Sequence, residues 1–83
     1  MRLRNGVALA ELEYGMALLD ENSGEYWNLN PTAALILQTL LAGGKAEIAV
    51  EKLTSRHDVE HGVASRDVDE LMGELRSAGL VEG

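Results

Sequence analysis

The stretch from Leu18 to Ala34, Leu-Leu-Asp-Glu-Asn-Ser-Gly-Glu-Tyr-Trp-Asn-Leu-Asn-Pro-Thr-Ala-Ala, constrains the fold more than any other part of the chain. It prescribes a strand, a tight turn, a short aromatic strand, a helix cap and a helix. Glu21-Asn22-Ser23-Gly24 is turn chemistry, with Gly24 free to take a positive φ. Asn30 offers a side-chain oxygen to free backbone N–H groups, and Pro31 suits the first helical position. Between turn and cap lie Tyr26 and Trp27, two of the three aromatic residues in the chain. Aromatics gathered on one short strand beside a helix cap mark either the centre of a core or a binding edge, and the function turns on which.

The rest of the chain extends this pattern in both directions. Residues 7–13, Val-Ala-Leu-Ala-Glu-Leu-Glu, alternate towards their end, with Ala8, Ala10 and Leu12 on one face, and predict a strand. Tyr14-Gly15 turns the chain. Met16 to Leu19 is a short apolar run between turn signals and predicts a second, more buried strand. Glu25 to Leu29 predicts a third, completing an antiparallel meander. The helix opened by Asn30-Pro31 carries Ala33, Leu35, Ile36, Leu37, Leu40 and Leu41. It is apolar around most of its circumference, so it is expected to be central and buried, with Gly43-Gly44 as its stop. A second helix is predicted from Ala46 to Arg56, with Ala46, Ala49, Val50 and Leu53 inward. After a turn at His57-Asp58-Val59, a third is predicted from about Val63 to Ala78, with the stripe Ala64, Val68, Leu71, Leu75 and Ala78. Leu80 and Val81 are expected to pin down the tail. The predicted class is α+β: a three-stranded antiparallel sheet followed by three helices, similar to a winged helix-turn-helix with the wing strands placed first. The 83 residues suffice for one domain, 1–83, with a thin core.

Composition removes several functions. The chain has no cysteine, hence no disulfide framework, thiol nucleophile or cysteine-type zinc site. No apolar run approaches the ~20 residues that span a membrane, and the first residues lack the apolar region of a signal peptide. A cytoplasmic, unprocessed chain with no membrane partner is expected. The formal charge of −7 argues against nucleic acid, because phosphate neutralisation needs Lys and Arg. It suits a solvated acidic surface or a partner with basic residues.

No catalytic constellation stands out, so no enzymatic activity and no cofactor are expected. There is no GxSxG, GxGxxG or P-loop pattern. His57 and His61 have the spacing of a helical metal pair, but Asp58-Val59 reads as turn and nothing completes the site. Asp20-Glu21-Asn22 is too short for a calcium loop and reads as a hairpin turn. The second and third helices have the outline of a DNA-binding helix-turn-helix. The would-be recognition helix, however, sets Asp67, Asp69, Glu70 and Glu74 against Arg66 and Arg76, and phosphates repel those carboxylates.

What remains is a surface for another chain. Tyr26 and Trp27 point to opposite faces of their strand, so one is expected in the core and one at a rim. The larger ring, Trp27, suits the partly wet rim, leaving Tyr26 for the core. Met72 flanks the stripe of the third helix, and a flexible apolar side chain there suits peripheral core or an adaptable groove.

The run from Leu18 to Ala34 also resembles the PqqD-like family, the recognition elements for ribosomally made, post-translationally modified peptides. The likeness rests on Leu18-Leu19-Asp20, on Gly24, Tyr26, Leu29 and Asn30, and on Pro31-Thr32-Ala33-Ala34. It continues through Gly43-Gly44, Glu47-Ile48-Ala49, Asp67-Val68, Leu75 and Ala78-Gly79-Leu80-Val81. Within the family the chain looks most like the stand-alone leader-binding proteins of lasso-peptide pathways. The resemblance implies a non-catalytic protein that binds the leader segment of a precursor peptide and presents it to a leader peptidase and a macrolactam-forming cyclase. The leader would add as a strand beside the third strand, in a groove walled by the third helix. Glu25, Tyr26, Trp27, Asn28 and Leu29 would supply the edge, and Val68, Leu71, Met72 and Leu75 the apolar wall. Asp69 and Arg76 would hold polar leader groups. Strand addition takes affinity from main-chain hydrogen bonds and specificity from side-chain pockets. The alternatives are a winged helix-turn-helix DNA-binding regulator and a peptide carrier for a radical enzyme in cofactor biosynthesis.

Overall fold

A computed structural model describes residues 1–83. The elements run β1 (Arg2–Leu3), β2 (Val7–Leu12), β3 (Gly15–Asp20), β4 (Tyr26–Leu29), α1 (Pro31–Leu41), α2 (Ala46–Arg56), α3 (His61–Ser77) and β5 (Val81–Glu82). Strands β2, β3 and β4 form the predicted antiparallel meander, in that spatial order. The register aligns Leu9, Leu18 and Trp27 across the sheet, and Ala8, Leu19 and Tyr26 in the next row. Leu18 and Met16 are buried against the helices, which defines the inner face.

Gly15 makes the start of β3 possible. Its φ is +133°, and a Cβ there would collide with the Leu29 carbonyl oxygen on the neighbouring strand. Only a residue without a side chain lets β4 close on β3 at this point.

Helix α1 begins as its sequence dictates. Asn30 Oδ1 accepts the Ala33 N–H at 2.9 Å and the Thr32 hydroxyl at 3.0 Å, with Pro31 in the first turn. At its other end Gly43, at φ +91°, reverses the chain, and the Gly44 N–H donates to the Thr39 carbonyl at 2.9 Å. Ala34 and Leu37 join a cluster with Met16, Leu18, Leu29, Leu75, Leu80 and Val81. Ile36 and Leu40 join a second, with Ala49, Val50, Leu53, Ala64 and Val68. The apolar circumference of α1 is thus divided between a sheet-side core and a helix-side core.

Helix α3 starts two residues before its predicted start. Glu60 is extended, with φ −59° and ψ 145°, and no side chain caps the helix; the Ala64 N–H closes the first turn on the Glu60 carbonyl at 2.8 Å. A helix opened by backbone alone leaves no capping residue to read. His57 ends α2 and His61 begins α3, with Asp58 at φ +53° between them, so the two imidazoles do not share a helix face. No helix is long and apolar enough to cross a membrane.

The ribbon of β1 and β5 is absent from the sequence reading. It pairs Arg2 with Glu82 and Leu3 with Val81, two residues a side. Beside it, the Arg4 N–H donates to the Leu80 carbonyl at 2.9 Å, and the Arg4 guanidinium donates to the Gly79 carbonyl and to Asp20 Oδ2 at 2.8 Å. Arg4 therefore ties the N-terminus to the end of α3 and to the β3–β4 hairpin. The Asn22 N–H donates to Asp20 Oδ1 at 3.0 Å. That bond first, then the Arg4 charge, holds the Asp20 carboxyl below the usual carboxylate range against the opposing effect of desolvation. Leu80 and Val81 are buried, as the expected pinning of the tail requires.

Candidate functional site

Strand β4 is an edge of its sheet. Its hydrogen-bonding phase follows from one bond: the Asp20 N–H donates to the carbonyl of its register partner Glu25 at 2.9 Å. Antiparallel pairs alternate, so Trp27 and Leu29 also turn their main-chain groups towards β3. Tyr26 and Asn28 turn theirs away. Two N–H groups and two carbonyls thus face outwards, an unpaired template for another strand.

Beside this edge lies a groove of about 440 Å³, lined by Trp27, Asn28, Leu29, Leu71, Glu74, Leu75, Ser77, Ala78 and Leu80. The helical wall, Leu71, Glu74, Leu75 and Ala78, follows the i, i+3, i+4, i+7 spacing of one helix flank. Trp27 is half-buried and packs against the sheet-side core. Leu71 and Glu74 also line a smaller recess of about 220 Å³ with Asn30, Thr32, Ala33, Ile36, Asp67 and Glu70. The groove is apolar along β4 and becomes acidic towards the start of α1.

The opposite flank of α3 has another neighbour. Ser65, Val68 and Asp69 line a cleft of about 300 Å³ with His61 and with Ala46, Glu47, Val50 and Glu51 of α2. Met72 packs against the helix-side core. No group of three or more histidine and carboxylate side chains is placed to hold a metal ion.

These positions sort the residues expected at the site. Trp27, Asn28, Leu29, Leu71 and Leu75 come together in the groove. Tyr26 does not occupy the core: it is 65% exposed, on the outer face of the sheet opposite Leu19. Its register with Leu19 decides this, because buried Leu18 commits the alternate row, including Trp27, to the inner face. Ring size carried no weight against that phase. Glu25 offers no free edge, since its carbonyl accepts from Asp20 and its N–H donates to Ser23 Oγ at 3.2 Å. Val68 is fully buried in the helix-side core. Met72 and Asp69 lie on the α2 side of α3, and Arg76 is exposed outside the groove. The apolar stripe of α3 located the helix, but which flank meets the sheet depends on the rotation that seats Ala64, Val68 and Leu75 inward. The spacing from Leu71 through Glu74 and Leu75 to Ala78 was the available signal for the residues missed, with Leu80 following from the buried tail.

The fold and groove define a winged helix-turn-helix-like domain whose sheet edge is open beside an apolar helix flank. The model of the family described as coenzyme PQQ synthesis protein D (PqqD) matches residues 15–81, and the chain belongs to that family. A solved structure described as lasso peptide synthetase B1 complexed with the leader peptide superposes with a TM-score of 0.90. It is 45% identical, over 99% of this chain and 96% of that one. A second, described as TbiB1 in complex with the TbiA(beta) leader peptide, superposes with a TM-score of 0.87 at 24% identity. That match covers 100% of this chain and 96% of the other, and shows the shared fold. Among curated proteins none matches significantly.

Proposed function

We propose that residues 1–83 act as one leader-binding domain, without catalytic activity, which captures the leader of a ribosomally made precursor of the lasso-peptide type in the cytoplasm. The leader adds as a strand to β4, and the domain presents it to the leader peptidase and the macrolactam-forming cyclase of the pathway. One observation carries the reading: the outward main-chain groups of Tyr26 and Asn28 stand directly beside an apolar groove. Strand addition needs that pairing of an edge with a pocket. The similarity to a protein solved with its leader peptide supports the same use here.

Trp27 is the built-in reporter. Its half-buried ring forms one end of the groove, so an ordered leader covers it and excludes water. Titrating synthetic leader peptide while following the emission of this single tryptophan is expected to give a saturable blue shift, and Trp27→Ala to weaken binding several-fold. An unchanged spectrum, together with unchanged affinity in Trp27→Ala measured by anisotropy of a labelled leader, would remove the groove from the function. Mass spectrometry of precursor incubated with this chain alone is expected to show neither cleavage nor cyclisation.

A further inference from the structure

Peptide capture leaves the outer face of the three-stranded sheet unused. The register places Ala8, Ala10 and Leu12 of β2, Ala17 and Leu19 of β3, and Tyr26 and Asn28 of β4 on this face. None of them is charged. A solvated sheet face ordinarily carries polar residues at the outward positions. The end of β2 does the reverse: Glu11 stands in the inward row opposite Met16, while Leu12 points outwards and is 48% exposed. Leu19 and Tyr14 add further exposed apolar surface.

The rim of this face has one sign of charge. Residues 5–44 contain no Lys, Arg or His. Glu13 stands at the β2–β3 turn, and Glu21 and Glu25 at the β3–β4 turn, all exposed and none in an ion pair. Asp20 is already neutralised by Arg4. A second copy of this acidic chain would add more acidic charge to a face whose charged rim groups, at both turns, are already carboxylates. The complementary surface is an apolar patch ringed by arginine or lysine.

Tyr26 connects this face to the peptide. A strand added to β4 places every second side chain on the outer face, beside Tyr26. A protein seated there touches sheet and leader at once, and the enzyme that cuts the leader acts on that segment. We propose that the outer face of β2, β3 and β4 docks the leader peptidase through an apolar, basic-rimmed patch, and that bound leader completes the surface. This rests on the leader-binding reading above.

The test uses the purified pathway peptidase as the probe, with the full chain immobilised and its affinity measured with and without saturating leader. Leu12→Glu and Leu19→Glu, both at exposed positions, are expected to weaken peptidase binding at least tenfold, while leader affinity read from Trp27 emission changes less than twofold. Glu13→Lys and added sodium chloride are expected to weaken it several-fold, and leader to strengthen it. No peptidase binding to the wild-type chain, or equal binding to wild type and both Leu variants, overturns the proposal. So does a dimer in sedimentation velocity that Leu12→Glu abolishes, since the occupant is then a second copy. Peptidase affinity unchanged by leader overturns the shared surface. Failure of the leader to bind the wild-type chain sinks the peptide reading instead, and the leader-free arm still reports on the face.

Discussion

Helix α3 has a cavity on each flank, and the two differ in what stands across from the helix. On one side Leu71, Glu74, Leu75 and Ala78 face β4, whose outward N–H and carbonyl groups are unpaired. On the other, Ser65, Val68 and Asp69 face α2, whose main chain beyond its uncapped first turn is bonded within its own helix. The first flank offers a ligand both an apolar floor and main-chain partners. The second offers side chains, among them Glu47, Glu51, His61 and Asp69, and no strand edge. A cavity beside a strand edge can order an extended peptide without knowing its sequence, because every residue brings a backbone N–H and C=O. A cavity between two helices has no such template. The state of the neighbouring backbone separates these flanks.

The severest way to break the contrast is to separate β4 from β3. Gly15→Ala forces a Cβ against the Leu29 carbonyl at a φ that L-residues avoid. A loss of roughly 3 kcal/mol is expected, which lowers Tm by on the order of 15 °C in a domain of this size. Thermal melts followed by circular dichroism test it, and a Tm within a few degrees of wild type would show that β4 can shift to make room.

Placing the same charge on each flank tests the assignment of function directly. Leu71→Glu puts a carboxylate into the apolar groove beside Glu74 and is expected to cost about 1–3 kcal/mol of leader binding. Ser65→Glu puts it into the α2 cleft and is expected to leave leader affinity within twofold. Anisotropy titrations of a labelled leader against both variants decide between the flanks, and the reverse ranking would move the site to the cleft.

A smaller effect isolates the strand edge. Asn28→Pro deletes an outward N–H that β3 does not use. One lost main-chain hydrogen bond corresponds to about 1 kcal/mol, or roughly fivefold in leader affinity, with the fold retained. Trp27→Pro deletes a donor that does serve β3, so it is expected to lower Tm as well. Equal behaviour of the two prolines would mean that the hydrogen-bonding phase is opposite to the one described.

The smallest effect concerns the hairpin that carries β4. The Asp20 carboxyl is held below its ordinary range by the Asn22 N–H and by Arg4. A carboxylate with a depressed folded-state pKa contributes stability that is fully present above the ordinary aspartate value. That contribution is lost as pH falls through the lowered one. Asp20→Asn is therefore expected to flatten the acid limb of the stability profile and to leave its shape near neutral pH unchanged. Urea melts across the acid range check this; an acid limb identical to wild type would remove Asp20 from it.

Much of the fold was legible because its signals are local. Asn30-Pro31, Glu21-Asn22-Ser23-Gly24 and Gly43-Gly44 each act through a few neighbouring residues, and the structure uses them as cap, turn and stop respectively. The start of α3 was misread because Glu60 caps through its backbone, which carries no side-chain signature. The ribbon of β1 with β5 was missed because it joins two-residue segments from opposite ends of the chain. At the candidate site, the edge strand and the apolar spacing of α3 pointed to the two elements that flank the groove. Which atoms of those elements meet was beyond them: Tyr26 lies on the outer face of the sheet instead of in the core, and Met72, Asp69 and Arg76 lie away from the groove that half-buried Trp27 lines.

The sequence alone therefore determined the order of elements, the antiparallel meander, the capped and buried α1, and the net acidic charge. Those properties follow from backbone geometry over a turn or two and from summed charge, which need no knowledge of distant contacts. The tertiary structure alone decided the phase of β4 and the rotation of α3. A strand can present either row of side chains inwards until a neighbour such as Leu18 is buried. A helix stripe can roll by one side chain until two partners, the sheet and α2, divide its flanks between them.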